Sequence, residues 1–390
     1  MQSWNNWFDS QHNDLSQSRI RRLKTQYDQR LFIDSNSSYL NLISNDYLGL
    51  ANHPKLKTAL IKASDTFGVG STGAPTLSGY TTEHEKLSIN MANWLGFEKC
   101  LLFNSGYQLN VGLYSQLIDK NTIIWLDKNC HASHIDGVLL SGARFHTFTS
   151  LTIDNAILKI KQEPQLLHII ITEGSFSMDG TCAYLTILIN LKSESPENIL
   201  LIIDDAHGIG ALGNDGFGTL EQLRLSYQHV DLLIGTFSKA FASQGGFICG
   251  TGLIIDYLVQ SVRSQLFSTY LPACIAAASN ASLEVITSPE GEQLRNTLAS
   301  NVSYFQLISK KYNLPVANLA CNVSPIQVLI FDDENKVKNL TQQLFNNRIL
   351  VGNIFYPTVK KSEPRVRISL TSSLTYEDIE AVCYTLHENI

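Results

Sequence analysis

Six short apolar runs constrain the fold most: CLLF (100–103), TIIWLD (122–127), LHIIIT (167–172), ILLIID (199–204), LLIGTF (232–237) and FICG (247–250). None alternates apolar with polar residues, as a strand with one wetted face does. Strands buried on both faces read as continuous runs, and a mostly parallel sheet covered by helices meets that condition. Longer helix-compatible stretches separate the runs, as parallel crossovers require. From about residue 46 to 280 the chain therefore reads as one large α/β domain. After Pro272 the pattern changes. A helical stretch runs to about 312, then come a strand at 324–331, a helix at 334–346, the strand RVRISL (365–370) and a last helix. Thr375 and Asp378 have capping-box spacing at its start. Residues 281–390 are expected to form a smaller C-terminal α+β domain. Residues 1–45 read as an N-terminal arm, helical through Tyr27, with a short strand pair.

A chain of 390 residues with 44% hydrophobic side chains can bury two such cores. Its formal net charge of −6 argues against a general nucleic-acid surface, which would be basic. The seven cysteines (100, 130, 182, 249, 274, 321 and 383) form an odd set with no CxxC pair, so neither a disulfide framework nor a zinc site is expected. The polar start MQSWNNWFDSQHNDL lacks a signal peptide's apolar core. No run approaches the roughly 18 apolar residues of a membrane span. A cytoplasmic protein with no membrane partner is the expectation.

In open α/β sheets, ligands gather beyond the carboxyl ends of the strands. ILLIIDDAHG puts Asp204 at such an end, with His207 three residues on. A buried carboxylate needs a partner, because an unpaired buried charge is costly. A protonated ring nitrogen would serve, with His207 donating to an oxygen of the same ring; a turn-capping aspartate fits the placement equally well. DLLIGTFSKAFASQGG sets Lys239 just past another strand end, flanked by Thr236 and Ser238. Burial there would depress its pKa and leave an amine suited to attack an aldehyde. LLFNSGYQ places Ser105, Gly106 and Tyr107 between a strand and a helix, where free N–H groups and the positive dipole end can seat a phosphate. His131 has a flat ring that could stack on an aromatic cofactor, and Arg367 could grip a carboxylate bidentately. Gly68–Gly73 matches G-x-G-x-x-G, but a helical pattern precedes it and Pro75 follows, so the strand–turn–helix context of a dinucleotide site is missing.

Taken in order, SNDYLGL (44–50), LSGYTTEH (77–84), NSGY (104–107), CHASH (130–134), TEGSFSMDG (172–180), DDAHGIGALG (204–213), TFSKAFASQGG (236–246), FSTYLP (267–272) and RVRISL resemble the α-oxoamine synthase family of pyridoxal 5'-phosphate (PLP) enzymes. The resemblance implies PLP-dependent transferase fold type I and a homodimer with its sites at the interface. It implies that Lys239 carries the cofactor as a Schiff base, that Asp204 keeps the pyridine nitrogen protonated, and that His207 and Ser177 contact the ring oxygen. Thr236 would bind the phosphate, the Gly106–Tyr107 turn would bind cofactor, and His131 would stack on the ring. Ser268 and Thr269 would reach the phosphate from the partner subunit. Asn45 and His131 would bind substrate, and Arg367 would bind the alanine carboxylate. Thr358 and Arg19, with Arg21 as the alternative, would lie along the substrate channel. TEGSFSMDG, DDAHG and FSTYLP look most like the biotin-pathway branch, an acyltransferase that condenses L-alanine with pimeloyl-CoA or pimeloyl-acyl carrier protein. The alternatives are a sister enzyme using glycine or another acyl thioester, and a non-catalytic member acting as an interaction subunit. The chain departs from the branch's pattern in GSTGAPTL (70–77) and at Cys182 and Tyr184, which bear on the acyl-donor region.

Overall fold

The computed structural model describes residues 4–14, 26–27, 30–31, 38–317 and 324–390. All six apolar runs are strands of one seven-stranded sheet. In chain order its strands are β1 Lys99–Phe103, β2 Thr122–Asp127, β3 Arg144–Phe148, β4 Leu167–Glu173, β5 Ile199–Asp204, β6 Leu232–Thr236 and β7 Gly246–Gly250. Side by side they run β1-β7-β6-β5-β4-β2-β3. β7 is antiparallel to both β1 and β6, and the other pairings are parallel. The continuous apolar character has the expected cause, since β2, β6 and β7 are buried at every position. Successive residues feed opposite cores: along β5, Leu201 and Ile203 join one apolar cluster and Ile202 the other. β3 lies at the sheet edge and is buried only at Phe148, so RFHTF carries no apolar run and sequence reasoning missed it.

The helical stretch after Pro272 is two helices, Ala273–Ile286 and Pro289–Lys311. Pro289 has no N–H with which to continue a helix, so it begins a new one. The strand Ile326–Ile330, the helix Glu334–Asn346, the strand Arg365–Ser369 and the helix Tyr376–Asn389 follow as expected. Thr375 and Asp378 make both bonds of the capping box. The strands pair as Ile326–Ile330, Arg365–Ser369 and Gly352–Ile354 in an antiparallel sheet, packed on its own apolar cluster with Phe305, Leu340 and Leu386.

Two expectations need correction. The arm is not helical through Tyr27: Trp4–Asp14 is a helix, but Gln26–Tyr27 is a strand paired with Arg30–Leu31. The polar composition of this segment offers little apolar periodicity with which to tell the two apart. Cys182 is disulfide-bonded, whereas Cys100, Cys130, Cys249, Cys274 and Cys383 are free. An odd count without a CxxC pair gave no reason to expect this, because spacing along a chain does not reveal which distant residues meet. Among the described residues, no helix is long and apolar enough to cross a membrane, and no cluster of His, Cys, Asp and Glu could hold a metal ion.

Candidate active site

Asp204 closes β5 and is buried. Its Oδ1 accepts from the Ala206 N–H at 3.0 Å, and its Oδ2 from His134 Nε2 at 2.9 Å and Asn110 Nδ2 at 3.2 Å. Burial pushes the carboxyl up, but the hydrogen bond from His134, with the nearby Lys239 ammonium and the Asn110 hydrogen bond, outweighs it and holds the pKa at about 2. Asp204 is therefore an anion at any ordinary pH. Asp205 behaves in the opposite way. Burial pushes its pKa up to about 7, and it accepts from the Thr219 N–H and Oγ1, each at 2.6 Å. A Cβ on Gly174, Gly208 or Gly218 would come within 2.2 Å of its oxygens, so these glycines leave room for it to tie down the loop after β5. Of the two carboxylates that end the run, Asp205 is structural.

Lys239 lies three residues beyond β6 and is partly buried. Burial, aided by the Arg367 charge, lowers its pKa to about 8 against the opposing pull of Asp204 and Glu173. Its turn is braced locally. The Ser238 N–H donates to Thr236 Oγ1 at 3.2 Å, and the Thr236 hydroxyl donates to the Gly245 carbonyl at 2.8 Å. Gly245 has φ 118, which a side chain would resist. Glu173 pairs with Asp204 across β4 and β5. Burial and the Asp204 charge push its carboxyl far above the usual range, and its Oε1 accepts from the His131 N–H. His131 caps the helix Ala132–Ser141 with its side chain partly open to solvent, its Nδ1 2.9 Å from Ser133 Oγ. Burial and the Lys239 charge lower its pKa.

Ser105 caps the helix Gly106–Leu113, accepting from the Gln108 N–H at 3.1 Å. The N–H groups of Gly106 and Tyr107 then have no intrahelical acceptor. A Cβ on Gly106 would meet nothing within 4 Å, whereas one on Gly246 would lie 2.7 Å from Gly106 N. The turn is thus pressed against β7 on one side and open on the other. Tyr107 is half-exposed and donates its hydroxyl to Asp136. Asn104 Nδ2 donates to Ser268 Oγ at 3.3 Å and to the Thr269 carbonyl at 2.7 Å, which brings both residues beside the same turn within one chain.

Arg367 joins distant parts of the chain. It is buried, and its Nε donates to the Ser177 carbonyl at 2.7 Å, Nη1 to Ser369 Oγ at 2.8 Å and Nη2 to Asn45 Oδ1 at 3.1 Å. Asn45 Oδ1 is also 3.3 Å from the Tyr47 hydroxyl, which lies 2.7 Å from His207 Nδ1. Burial, then the Lys239 and Arg367 charges, drive the His207 pKa far below its ordinary value, and burial pushes Tyr47 up to about 12. Both are uncharged groups at neutral pH. Thr358 is exposed, with its N–H on the Phe355 carbonyl. Arg19 and Arg21 lie outside the described residues.

Sequence reasoning missed Tyr47, Asn110, Tyr114, His134 and Glu173 as members of the site. Three of them sit inside the quoted motifs SNDYLGL, CHASH and TEGSFSMDG. Asn110 and Tyr114 were detectable only as an i,i+4 pair on the helical turns beginning at Gly106.

The family profile for aminotransferase class I and II matches residues 37–386. An 8-amino-7-oxononanoate synthase of Marinomonas sp. (strain MWYL1) is 37% identical over 350 residues, which cover 90% of this chain and 85% of that protein. The solved structure of 8-amino-7-oxononanoate synthase from Francisella tularensis is 29% identical, with a TM-score of 0.75 over 90% of this chain and 97% of that one. Sphingomonas wittichii serine palmitoyltransferase has a TM-score of 0.86 over 91% and 88% of the two chains at 24% identity, a likeness of fold alone.

Proposed function

The chain belongs to the 8-amino-7-oxononanoate synthase family within the class I and II aminotransferases, and we propose that it condenses L-alanine with a pimeloyl thioester in biotin biosynthesis, using PLP. In this reaction the alanine Cα forms a bond to the acyl carbonyl carbon, the thioester C–S bond breaks to release the thiol, and the alanine carboxyl leaves as CO2. The fold is PLP-dependent transferase fold type I. The observation that carries the proposal is an anion held at about 2 and an amine lowered to about 8 at neighbouring strand ends, with a buried guanidinium from the C-terminal sheet close enough for its charge to act on the amine. We further propose a cytoplasmic homodimer, with residues 46–280 carrying the cofactor seat, 281–390 supplying Arg367 and 1–45 forming an arm.

The residues present fit PLP. Asp204 offers an anion to a protonated ring nitrogen, and Lys239 offers an amine that is neutral in useful proportion near pH 8. Gly106 and Tyr107 offer free N–H groups beside an open space, and Thr236 ends β6 with its Oγ1 2.8 Å from Ser238 Oγ. His207 and Ser177 would hold the ring oxygen and His131 would cover the ring face, while the partner subunit's Ser268 and Thr269 would complete the phosphate seat. When bound, PLP supplies an electron sink for the bonds broken at Cα. The chain's residues supply the rest. Arg367 and Asn45 orient the amino acid by its carboxylate. Neutral Lys239 takes the Cα proton as general base and returns one to the product. Asp204 keeps its negative charge throughout. Thr358 and Arg19, or Arg21, would line the substrate channel.

The departures at 70–77, Cys182 and Tyr184 leave the acyl donor as the least constrained part, including the choice between CoA and acyl carrier protein. Mass spectrometry of products from alanine or glycine with a set of acyl thioesters tests the reaction. CO2 and free thiol should appear in equal amounts, and only with an amino acid present. Faster product formation with glycine would point to the sister activity. Thiol release without an amino acid would mean a thioester hydrolase.

Arg367→Ala should raise the KM for alanine roughly 10- to 100-fold, the worth of a charge-assisted bidentate contact. The KM for the thioester should stay within about twofold. Steady-state kinetics with each substrate varied separately checks this; parallel rises in both constants would remove Arg367 from the carboxylate site.

A further inference from the structure

His134 has no part in the chemistry proposed above, yet it is fully buried and bonded at both ring nitrogens. We propose that His134 is a positioning residue: a relay of donors from Tyr114 through His134 holds the Asp204 carboxylate oriented toward the ring nitrogen of the cofactor. This inference rests on the assignment of Asp204 to that nitrogen.

The direction of the relay follows from the groups themselves. Tyr114 is fully buried, and burial together with the acids around it holds its phenol far above the usual range, so it keeps its proton. Its hydroxyl meets His134 Nδ1 and donates to it. That nitrogen then carries a lone pair, which places the ring proton on Nε2. Nε2 donates to Asp204 Oδ2 at 2.9 Å. The tautomer of a histidine is set by what its far nitrogen bonds, and a desolvated bond to a carboxylate is stronger than the same bond in water.

Two further features separate this from a histidine merely satisfied in a core. Asn110 Nδ2 lies 3.2 Å from Asp204 Oδ2 and 3.0 Å from Ser133 Oγ, and Ser133 Oγ lies 2.9 Å from His131 Nδ1. The first turn of the helix Ala132–Ser141 and its cap therefore fix both His131 and the clamp on Asp204. The two helices can approach closely enough because residue 137 is glycine. A Cβ there would come 2.3 Å from the Asn110 carbonyl oxygen and 2.9 Å from the Tyr114 ring.

The test uses the full-length holoenzyme loaded with PLP labelled with 15N at the ring nitrogen. The parent should show a protonated nitrogen. His134→Leu removes the Nε2 donor and should move the signal to the unprotonated range. It should also lower kcat roughly 10- to 100-fold, the worth of a hydrogen bond to a charged group, with the alanine KM within about twofold. His134→Gln offers an amide N–H in place of Nε2–H and should restore most of both. Tyr114→Phe, which leaves the imidazole tautomer unfixed, should shift both in the same direction by less, and it provides the reading if His134→Leu does not fold. A protonated nitrogen and parental kcat in both His134→Leu and Tyr114→Phe overturn the inference. So do equal losses in His134→Leu and His134→Gln, which would report packing alone. An unprotonated nitrogen already in the parent overturns the Asp204 assignment, and this inference with it.

Discussion

Borohydride reduction of the PLP-loaded protein should fix the cofactor on the peptide that contains Lys239, and Lys239→Ala should lose ~10²–10⁴-fold in turnover, the usual worth of a general base. Only the neutral amine attacks an aldehyde or accepts a proton. Burial lowers the Lys239 pKa to about 8 from 10.5, so its neutral fraction is far larger at neutral pH than that of a solvated lysine. The sign of the pH effect follows. In cofactor-free protein, the rate of PLP attachment should rise about tenfold per pH unit below pH 8 and level off above it. Among the described residues, the buried Lys192 offers no competition, because it is paired with Asp231 at 2.9 Å and bonded to the carbonyls of Pro196 and Ile199. Peptide mapping after reduction reads the attachment site directly. An adduct on another lysine, or none on protein that retains PLP, would end the assignment.

The parts of this site that were legible in the sequence are those carried by strand ends. ILLIID and LLIGTF are apolar because both faces of β5 and β6 are covered, and the first polar groups past them are the ones the sheet presents. Strand-end placement singled out Asp204 and Lys239 as candidates, with Asp204 evenly weighed against a turn-capping aspartate until the family resemblance was added. The strand TIIWLD was legible to the residue, while β3 was invisible because an edge strand need not be apolar. Local patterning cannot report contacts across the chain. Arg367 meets Ser177 and Asn45, and Tyr47 meets His207, through bonds between residues more than a hundred positions apart. The resemblance to a family named Arg367, Asn45 and Ser177, but not Tyr47 or His134. The doublet Asp204–Asp205 shows the same limit at one peptide bond's distance. Adjacent strand-end acids point to opposite sides, and only packing decides that one is held ionised at about 2 while the other is pushed up to about 7.

Asp204→Asn and Asp204→Ala should each lose at least ~10²-fold in turnover, because the proposed role of this buried group is a fixed charge beside the ring nitrogen. They should differ in stability. Alanine leaves the His134 Nε2–H and one Asn110 N–H buried without their acceptor, at a cost of ~1–3 kcal/mol for each unsatisfied donor. Asparagine keeps one oxygen that can accept, so its melting temperature should lie between those of the parent and the alanine variant. The pH dependence separates charge from packing. The Asp204 pKa is depressed to about 2 from 3.8, so its ionised form adds stability that is present above about pH 4 and lost as pH falls through 2. The stability gap between parent and Asp204→Asn should therefore narrow across that window and stay constant above it. The alanine binding proposed for Arg367 would not need this charge, and its KM should change little. Thermal melts from pH 2 to 7, beside kcat and KM at one pH, measure all of this. A folded asparagine variant with near-parental turnover would show that some other group partners the ring nitrogen, and a stability gap indifferent to pH would show that Asp204 is not the anion its hydrogen bonds describe.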